Sequence, residues 1–595
     1  MNVDMNVNNK LTGKPSIDRP WLKYYPESMI GTQVPECTLR EYLKANCPGE
    51  DITAVHYYGT DISWKTVFER ADAIACSLKA LGFGENDQIP VFLRSVPEFI
   101  SLLLAAEKIG ASLLCRDNTL EENVEAVRKS GAKVMIAHDF LDQKELEAYL
   151  AQSSIEKAVL LDPCYDCDRE NMPSYIQKCL DSNYTGQPAH GPAVMSWDEF
   201  LALGKNYTGK VEADTDVYRP LFRAYTSGST GPSKQVIHCA HSMVSVVHQM
   251  NIYAGSAEFR PVWLMMCLPV ALIAVVVTGI VMPLASNKLL VMDPFCAPED
   301  VDLELMRYRP ASGMMIPLFI ENIMNNGRIP EDYDMSHLLA LGAGCEAYNN
   351  QQIKRAQKFL EDHNCHVRFT IGYGSSEAGS NTTLSLSPHP VENGNVGVPM
   401  VLNNMSIFKP GTQEEIGYNK LGEICVSGPG VMLGYDNPET TAQALQKHAD
   451  GRVWLHTGDL GCMNEDGVIY TLTRGASPRF GGGDLATLPM ENIVADACIQ
   501  GIEDEFFVVI PDDEHPGCFV PYLYVILKDG YTVDDIEDKV RACLDDYMQP
   551  VQILELPERP FFHFKTNRIG LTHALLAGRN FKRMNSRKVK HAARG

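Results

Sequence analysis

YTSGSTGPSK, residues 225–234, follows the mainly apolar run LFRA (221–224) and packs two glycines and five serine or threonine hydroxyls ahead of a single lysine. Glycines let backbone N–H groups approach a phosphate closely, and hydroxyls add further donors. Lys234 supplies a charge to balance the phosphate. The run is not a Walker A loop, which needs glycine and lysine adjacent; here Pro232 and Ser233 stand between Gly231 and Lys234. Taken alone it reads equally as a turn, so the rest of the chain has to decide.

Working outward, residues 52–140 alternate short apolar runs (AVHYYG, QIPVFL, SLLCR, KVMIAH) with amphipathic stretches such as SWKTVFERADAIACSLKALGF. This rhythm predicts a doubly wound, mainly parallel α/β sheet. It resumes over 236–295 and 311–345, where HLLALGAG (337–344) reads as a strand. Residues 163–215 are polar and read as an irregular surface insertion. The Gly/Pro-rich joint RGASPRFGGGD (474–484) introduces a compact α+β stretch. The expected organisation is therefore a large domain over 1–475, a small one over 476–580 and a basic tail over 581–595, read as solvated.

Composition narrows the function classes. At 595 residues and net charge −23, the chain repels phosphate backbones, which argues against nucleic acid as its main partner. The uncharged run 262–285 is long enough to suggest a membrane span, but Pro269 and Pro283 leave only thirteen residues between them. At about 1.5 Å per residue that is too short to cross a bilayer core, so the run is read as buried core. Seventeen cysteines without framework spacing and an N-terminus lacking an apolar signal core fit a reduced cytoplasm. Cys164 and Cys167 form one CxxC with no second pair nearby, too few ligands for zinc.

Four further segments follow the first in order: GYGSSEAG (372–379), GEICVSGPGVMLGY (422–435), WLHTGDLG (454–461) and GVIYTLTRG (467–475). Together with YTSGSTGPSK, this series resembles the adenylate-forming superfamily of acyl-CoA synthetases, peptide-synthetase adenylation domains and luciferases. RPWLKYYP (19–26) is similar to the N-terminus of long-chain fatty acyl-CoA ligases. The resemblance implies a large doubly wound domain and a small mobile one. It also implies activation of a carboxylic acid by Mg-ATP to an acyl-adenylate, followed by transfer to coenzyme A. Residue by residue, it sets Thr226, Ser227, Gly228, Ser229, Thr230, Gly231 and Lys234 on the ATP phosphates, with Thr230 also among the catalytic groups. Gly344, Cys345 and Glu346 lie along the adenine, Tyr373 stacks on it, and Gly372, Gly374, Ser375 and Ser376 complete the nucleotide loop. Glu377 is the implied magnesium ligand and a catalytic residue, Asp459 the acceptor for the ribose hydroxyls, and Arg474 a second ribose contact. Glu377 suits its role because a carboxylate is a hard oxygen donor.

The C-terminal region departs from the family pattern. Where the family has PKTxxGK, this chain has HFKTNRIG (563–570), placing Arg568 at the lysine and Asn567 at the glycine. Lys565 lies three residues earlier and substitutes only if the loop is rerouted. Ser477 replaces the usual hinge Asp or Lys, and Pro478 stiffens the next bond. Two readings stay open: a working ligase with Arg568 in the lysine's place, or a binding protein whose adenylation is slow or lost. A variant of the first passes the adenylate to a carrier protein. The resemblance puts the acyl pocket around Trp263, Leu272, Met315, Gly342 and Ala378. Leu272 stands where relatives often have histidine, and 263–275 carries no cation to pair a second carboxylate. The expected substrate is a medium- or long-chain fatty acid, or an aryl or steroid acid.

Overall fold

The computed structural model describes residues 11–116, 120–226, 233–254, 260–562 and 564–578. The basic tail beyond 580 lies outside them.

Two largely parallel sheets carry most of the chain. The eight-stranded one runs Gly434–Tyr435, Gln235–Cys239, Pro220–Tyr225, Ser112–Cys115, Gln88–Phe92, Val134–His138, Lys157–Leu161, Val194–Ser196. From Pro220–Tyr225 onward every neighbour is parallel; the first two strands are antiparallel. The five-stranded one runs Ser312–Gly313, Val262–Met265, Leu289–Met292, Thr53–Tyr57, Thr60–Ser63, with only the last pair antiparallel. The helix Pro97–Ile109 is buried along almost its whole length, which explains why its sequence is apolar on every side.

A third sheet departs from the parallel rhythm. Asn404–Phe408, Gly422–Ser427, Val453–Met463 and Leu445–Lys447 form an antiparallel sheet, with Ile469–Arg474 also paired to the long Val453–Met463 strand. The long strand carries no clean alternation of burial, so its sequence gives little hint of it.

The reading of 163–215 as irregular needs correcting. It folds into the helices Ser174–Asp181 and Trp197–Lys205 and the strand Val194–Ser196 that ends the large sheet. Its apolar anchors are buried and pair at helical spacing, Ile176 with Leu180 and Trp197 with Phe200, but each short helix shows only one such pair among polar residues, which keeps the pattern faint. Ser196 and Glu199 cap the second helix reciprocally, a local signal that was present. The strand expected over 337–344 is only Leu341–Ala343, and Leu339 is exposed. The uncharged run 262–285 is the strand Val262–Met265 followed, past Pro269, by a buried π-helical turn at Val275–Val281. No helix among the described residues is long and apolar enough to cross a membrane.

Beyond 484 the chain forms an α+β unit with apolar clusters of its own. The helix Thr487–Asp496, the sheet of Ile502–Pro511, Phe519–Leu527 and Ile553–Glu555, and the helices Val533–Cys543 and Arg568–Leu576 build it. Ser477, in the joint before it, is buried, and its carbonyl accepts the Leu485 N–H at 2.8 Å.

Candidate active site

The antiparallel pair Pro220–Tyr225 and Gln235–Cys239 forms the neck of the loop with which the sequence reading began. Thr226 N–H donates to the Lys234 carbonyl at 2.9 Å, and Lys234 N–H returns to Thr226 Oγ1 at 3.0 Å. Ser227, Gly228, Ser229, Thr230 and Gly231 lie outside the described residues. The Lys234 ammonium sits 5.1 Å from the centre of the Tyr435 ring, and the Tyr435 hydroxyl donates to Glu377 Oε1 at 2.8 Å. Tyr435 arrives from the short strand paired to Val236, so the neck and the glutamate are joined through one phenol.

His238 makes a second link. Its Nε2 donates to the Ser376 carbonyl at 2.7 Å, and burial pushes its pKa down to about 4, so it is neutral near pH 7. The sequence reading passed over both His238 and Tyr435. Tyr435 ends the GEICVSGPGVMLGY run, which was a usable signal; nothing local marks His238.

Asp459 faces Arg474 across the Val453–Met463 and Ile469–Arg474 pair, with Arg474 Nη1 3.5 Å from Oδ1. Tyr373, implied to stack on adenine, donates its hydroxyl to Asp459 Oδ2 at 2.8 Å. Burial raises the Asp459 pKa, while Arg474, the Tyr373 hydroxyl and the Lys565 ammonium pull it back and Glu377 pushes it up. Glu377 and Lys565 thus lie near enough to Asp459 for their charges to act on it. The turn before Asp459 is held by Glu423, which accepts Gly458 N–H at 3.0 Å and the His456 Nδ1–H at 2.9 Å. Glu423, Cys425 and His456 are ligand types close enough for a metal, but the carboxylate and both imidazole nitrogens are already engaged in hydrogen bonds.

On the side expected to face adenine, Leu341–Ala343 pairs in parallel with Phe369–Ile371, and Gly372 N–H donates to the Ala343 carbonyl at 2.9 Å. Gly342 is tight: a Cβ there would lie 2.5 Å from Thr370 Oγ1. Beyond Gly344, Cys345 takes a left-handed φ of 74° and is exposed. Glu346, implied to lie along adenine, instead turns its carboxylate to the C-terminal unit. It accepts Thr566 N–H at 3.1 and 3.2 Å and Arg568 Nη1 at 2.9 Å. Gly374 and Ser375 pair with Asn381 and Ser380.

Of the expected pocket residues, Met315 bridges Ala343 and is buried, Ala378 is buried and Leu272 is half-buried. Thr278, on the π-helical turn, meets Ser380 Oγ at 2.6 Å and ties this turn to the segment that follows Glu377. Trp263 is set apart: it pairs at the level of Ser312, before the strand reaches Met315, with the Lys288 ammonium 4.7 Å from its ring.

A magnesium ion fits Glu377, whose second carboxylate oxygen takes no hydrogen bond among the described residues. ATP fits these residues in charge, with Lys234 joined to Glu377 through Tyr435 and Arg474 facing Asp459.

The family model described as "AMP-binding enzyme" matches residues 44–436. The 4-coumarate–CoA ligase of Vanilla planifolia is 25% identical over 483 residues, covering 78% of this chain and 79% of its own. The 4-coumarate–CoA ligase 1 of Arabidopsis thaliana is 27% identical over 416 residues, covering 67% and 68%. Among solved structures, ATP-bound MatB from Rhodopseudomonas palustris superposes with a TM-score of 0.73 at 18% identity, covering 90% of this chain and 99% of its own. An anthranilate CoA ligase bound to anthranoyl-AMP gives 0.72 at 16% identity, covering 92% and 99%. These likenesses bear out the expected α/β architecture.

Proposed function

The chain belongs to the AMP-binding enzyme family, and from that premise we propose that it is an AMP-forming acid–CoA ligase acting on an apolar monocarboxylic acid. The observation that carries this reading is that Tyr435 joins Lys234 to Glu377 while Tyr373, on the same short loop as Glu377, holds Asp459 beside Arg474. In this reading residues 1–475 are the catalytic body and 476–580 the unit that moves between the half-reactions.

In the first half-reaction a carboxylate oxygen of the acid bonds to the α-phosphorus of ATP, and the bond to the β-phosphate oxygen breaks, releasing pyrophosphate. In the second, the sulfur of coenzyme A bonds to the acyl carbon, AMP leaves with the bridging oxygen, and the thiol proton passes to solvent. The chain's contribution is positioning and charge. Thr226 and Lys234 bind the β- and γ-phosphates. Asp459 accepts from the ribose hydroxyls and is oriented by Tyr373 and Arg474. Glu377, oriented by Tyr435, would hold magnesium, which supplies neutralisation of phosphate charge.

Three things favour an apolar acid. The run 262–285 carries no charge, Met315 and Ala378 are buried beside the nucleotide loop, and Leu272 offers no polar group. An aryl acid is favoured over a fatty one because the matched relatives are named for 4-coumarate. The test is release of pyrophosphate from Mg-ATP with arylpropenoic, benzoic and C6–C18 fatty acids, each with and without coenzyme A. Arylpropenoic acids should give pyrophosphate and, with coenzyme A, a thioester. Turnover confined to fatty acids would replace the aryl assignment, and turnover confined to dicarboxylates or amino acids would refute the apolar one.

A further inference from the structure

We propose that Lys565, and not Arg568, is the cation which the C-terminal unit presents to the reacting carboxylate and α-phosphate, while Arg568 is a positioning clamp that holds it there. The inference rests on the ligase reading above.

Arg568, at the sequence position of the family lysine, is committed elsewhere. Its Nη1 donates to Glu346 and its Nη2 to Glu491, both at 2.9 Å, and its Nε donates to the Phe507 carbonyl at 3.3 Å. Both carboxylates are about nine-tenths buried. Moving the guanidinium toward the nucleotide would leave two buried anions without their partner, a strongly unfavourable change. The contact is also a bridge: Glu346 belongs to the large domain, Glu491 and Phe507 to the small one.

Lys565 sits in a tight hairpin. The hairpin of Phe561–Phe562 and Lys565–Thr566 turns through Phe564, which takes a left-handed φ of 63°. A non-glycine residue is held there only when its surroundings over-determine it. They do so here. The Phe564 ring packs edge-on against Phe319 of the large domain, with centroids 6.2 Å apart, and Thr566 N–H donates to both Glu346 oxygens. The residues on either side of Lys565 are thus anchored to the large domain. The ammonium between them acts on Asp459 alongside Arg474 and Glu377, and no ion pair among the described residues engages it. A primary ammonium on a flexible stem can follow oxygens that shift during an in-line displacement, whereas a guanidinium fork held by two carboxylates cannot.

The test compares Lys565→Ala, Lys565→Arg, Arg568→Ala and Arg568→Lys in the two half-reactions: pyrophosphate release from ATP and acid, and thioester formation from isolated acyl-adenylate and coenzyme A. Lys565→Ala should lower kcat for pyrophosphate release by about 10²–10³-fold with KM for ATP changed by less than about threefold. It should leave the thioester step within about threefold, a split that loss of structure does not produce. Arg568→Ala should lower pyrophosphate release by about tenfold through looser positioning, with Arg568→Lys recovering part of it. The assignment is overturned if Arg568→Ala shows the large kcat loss and Lys565→Ala turns over normally, or if both variants lose the two half-reactions equally. Wild-type protein that binds ATP yet releases no pyrophosphate with any acid refutes the ligase reading itself, and the assignment falls with it.

Discussion

Replacing Asp459 by asparagine keeps the shape of the proposed ribose site and removes its charge. The carboxylate accepts the Tyr373 hydroxyl on Oδ2 and faces Arg474 from Oδ1, with 15% of the side chain exposed. A hydrogen bond to a charged acceptor is worth about 1.5–3 kcal/mol and to a neutral one about 0.5–1.5 kcal/mol. Two ribose hydroxyls therefore lose about 2 kcal/mol between them, a factor of about 30 in affinity. The folded state without nucleotide should not suffer. Burial already raises the Asp459 pKa, so asparagine removes a desolvation cost, and Arg474 is 47% exposed and loses little with its partner. Titration calorimetry should show ATP binding weakened about 10–30-fold, and thermal melts without ligand should be unchanged or slightly higher. ATP affinity within twofold of wild type would refute the ribose assignment. A melt lowered by several degrees would mean that Asp459 is there to hold the fold.

Three other perturbations probe the surroundings. Burial and the neighbouring Asp504 raise the Glu505 pKa from 4.5 to about 8, and its Oε1 accepts from Asn349 of the large domain at 3.0 Å. Between those two values the folded protein keeps a proton that the unfolded chain has lost, so this contribution is complete below pH 4.5 and fades as pH rises through 8. Glu505→Gln should match wild type at pH 4.5 and melt higher at pH 8.5; a larger deficit at pH 8.5 would reverse the sign. Arg328 Nε donates to the wholly buried Asp302 at 2.8 Å, so Arg328→Ala should cost about 2–4 kcal/mol in urea unfolding, with Arg328→Ala/Asp302→Asn recovering much of it. At Gly374 a Cβ would lie 1.9 Å from the Ser380 carbonyl oxygen. Gly374→Ala should therefore displace the loop between Tyr373 and Glu377, destabilising the protein by about 1–3 kcal/mol and raising KM for ATP.

How much of this could be read from the chain depends on whether a signal is local. The run from Thr226 to Lys234 and the runs around Tyr373, Glu377 and Asp459 are short, polar and rich in glycine, so they stand out from apolar surroundings. The parallel sheets were legible for a related reason: each strand is a compact apolar block between amphipathic helices. The helices within 163–215 are hard to read because each is short and anchored by a single apolar pair, Ile176 with Leu180 and Trp197 with Phe200. His238 and Tyr435 act through partners 138 and 58 residues away, a pairing that no window of sequence contains. Glu346 stands out in the sequence beside the glycines of GAGCE, but the direction of its carboxylate depends on Thr566 and Arg568, more than 200 residues downstream. The departure at Arg568 was visible from the motif; its consequence required knowing where Glu346 and Glu491 lie.

The most direct measurement of the central claim follows ATP, AMP, pyrophosphate and coenzyme A thioester together by mass spectrometry, with an arylpropenoic acid and Mg-ATP. The account predicts AMP and pyrophosphate in equal amounts, with one thioester formed for each AMP. ADP and phosphate as products, or bound ATP that no acid converts to pyrophosphate, would contradict it.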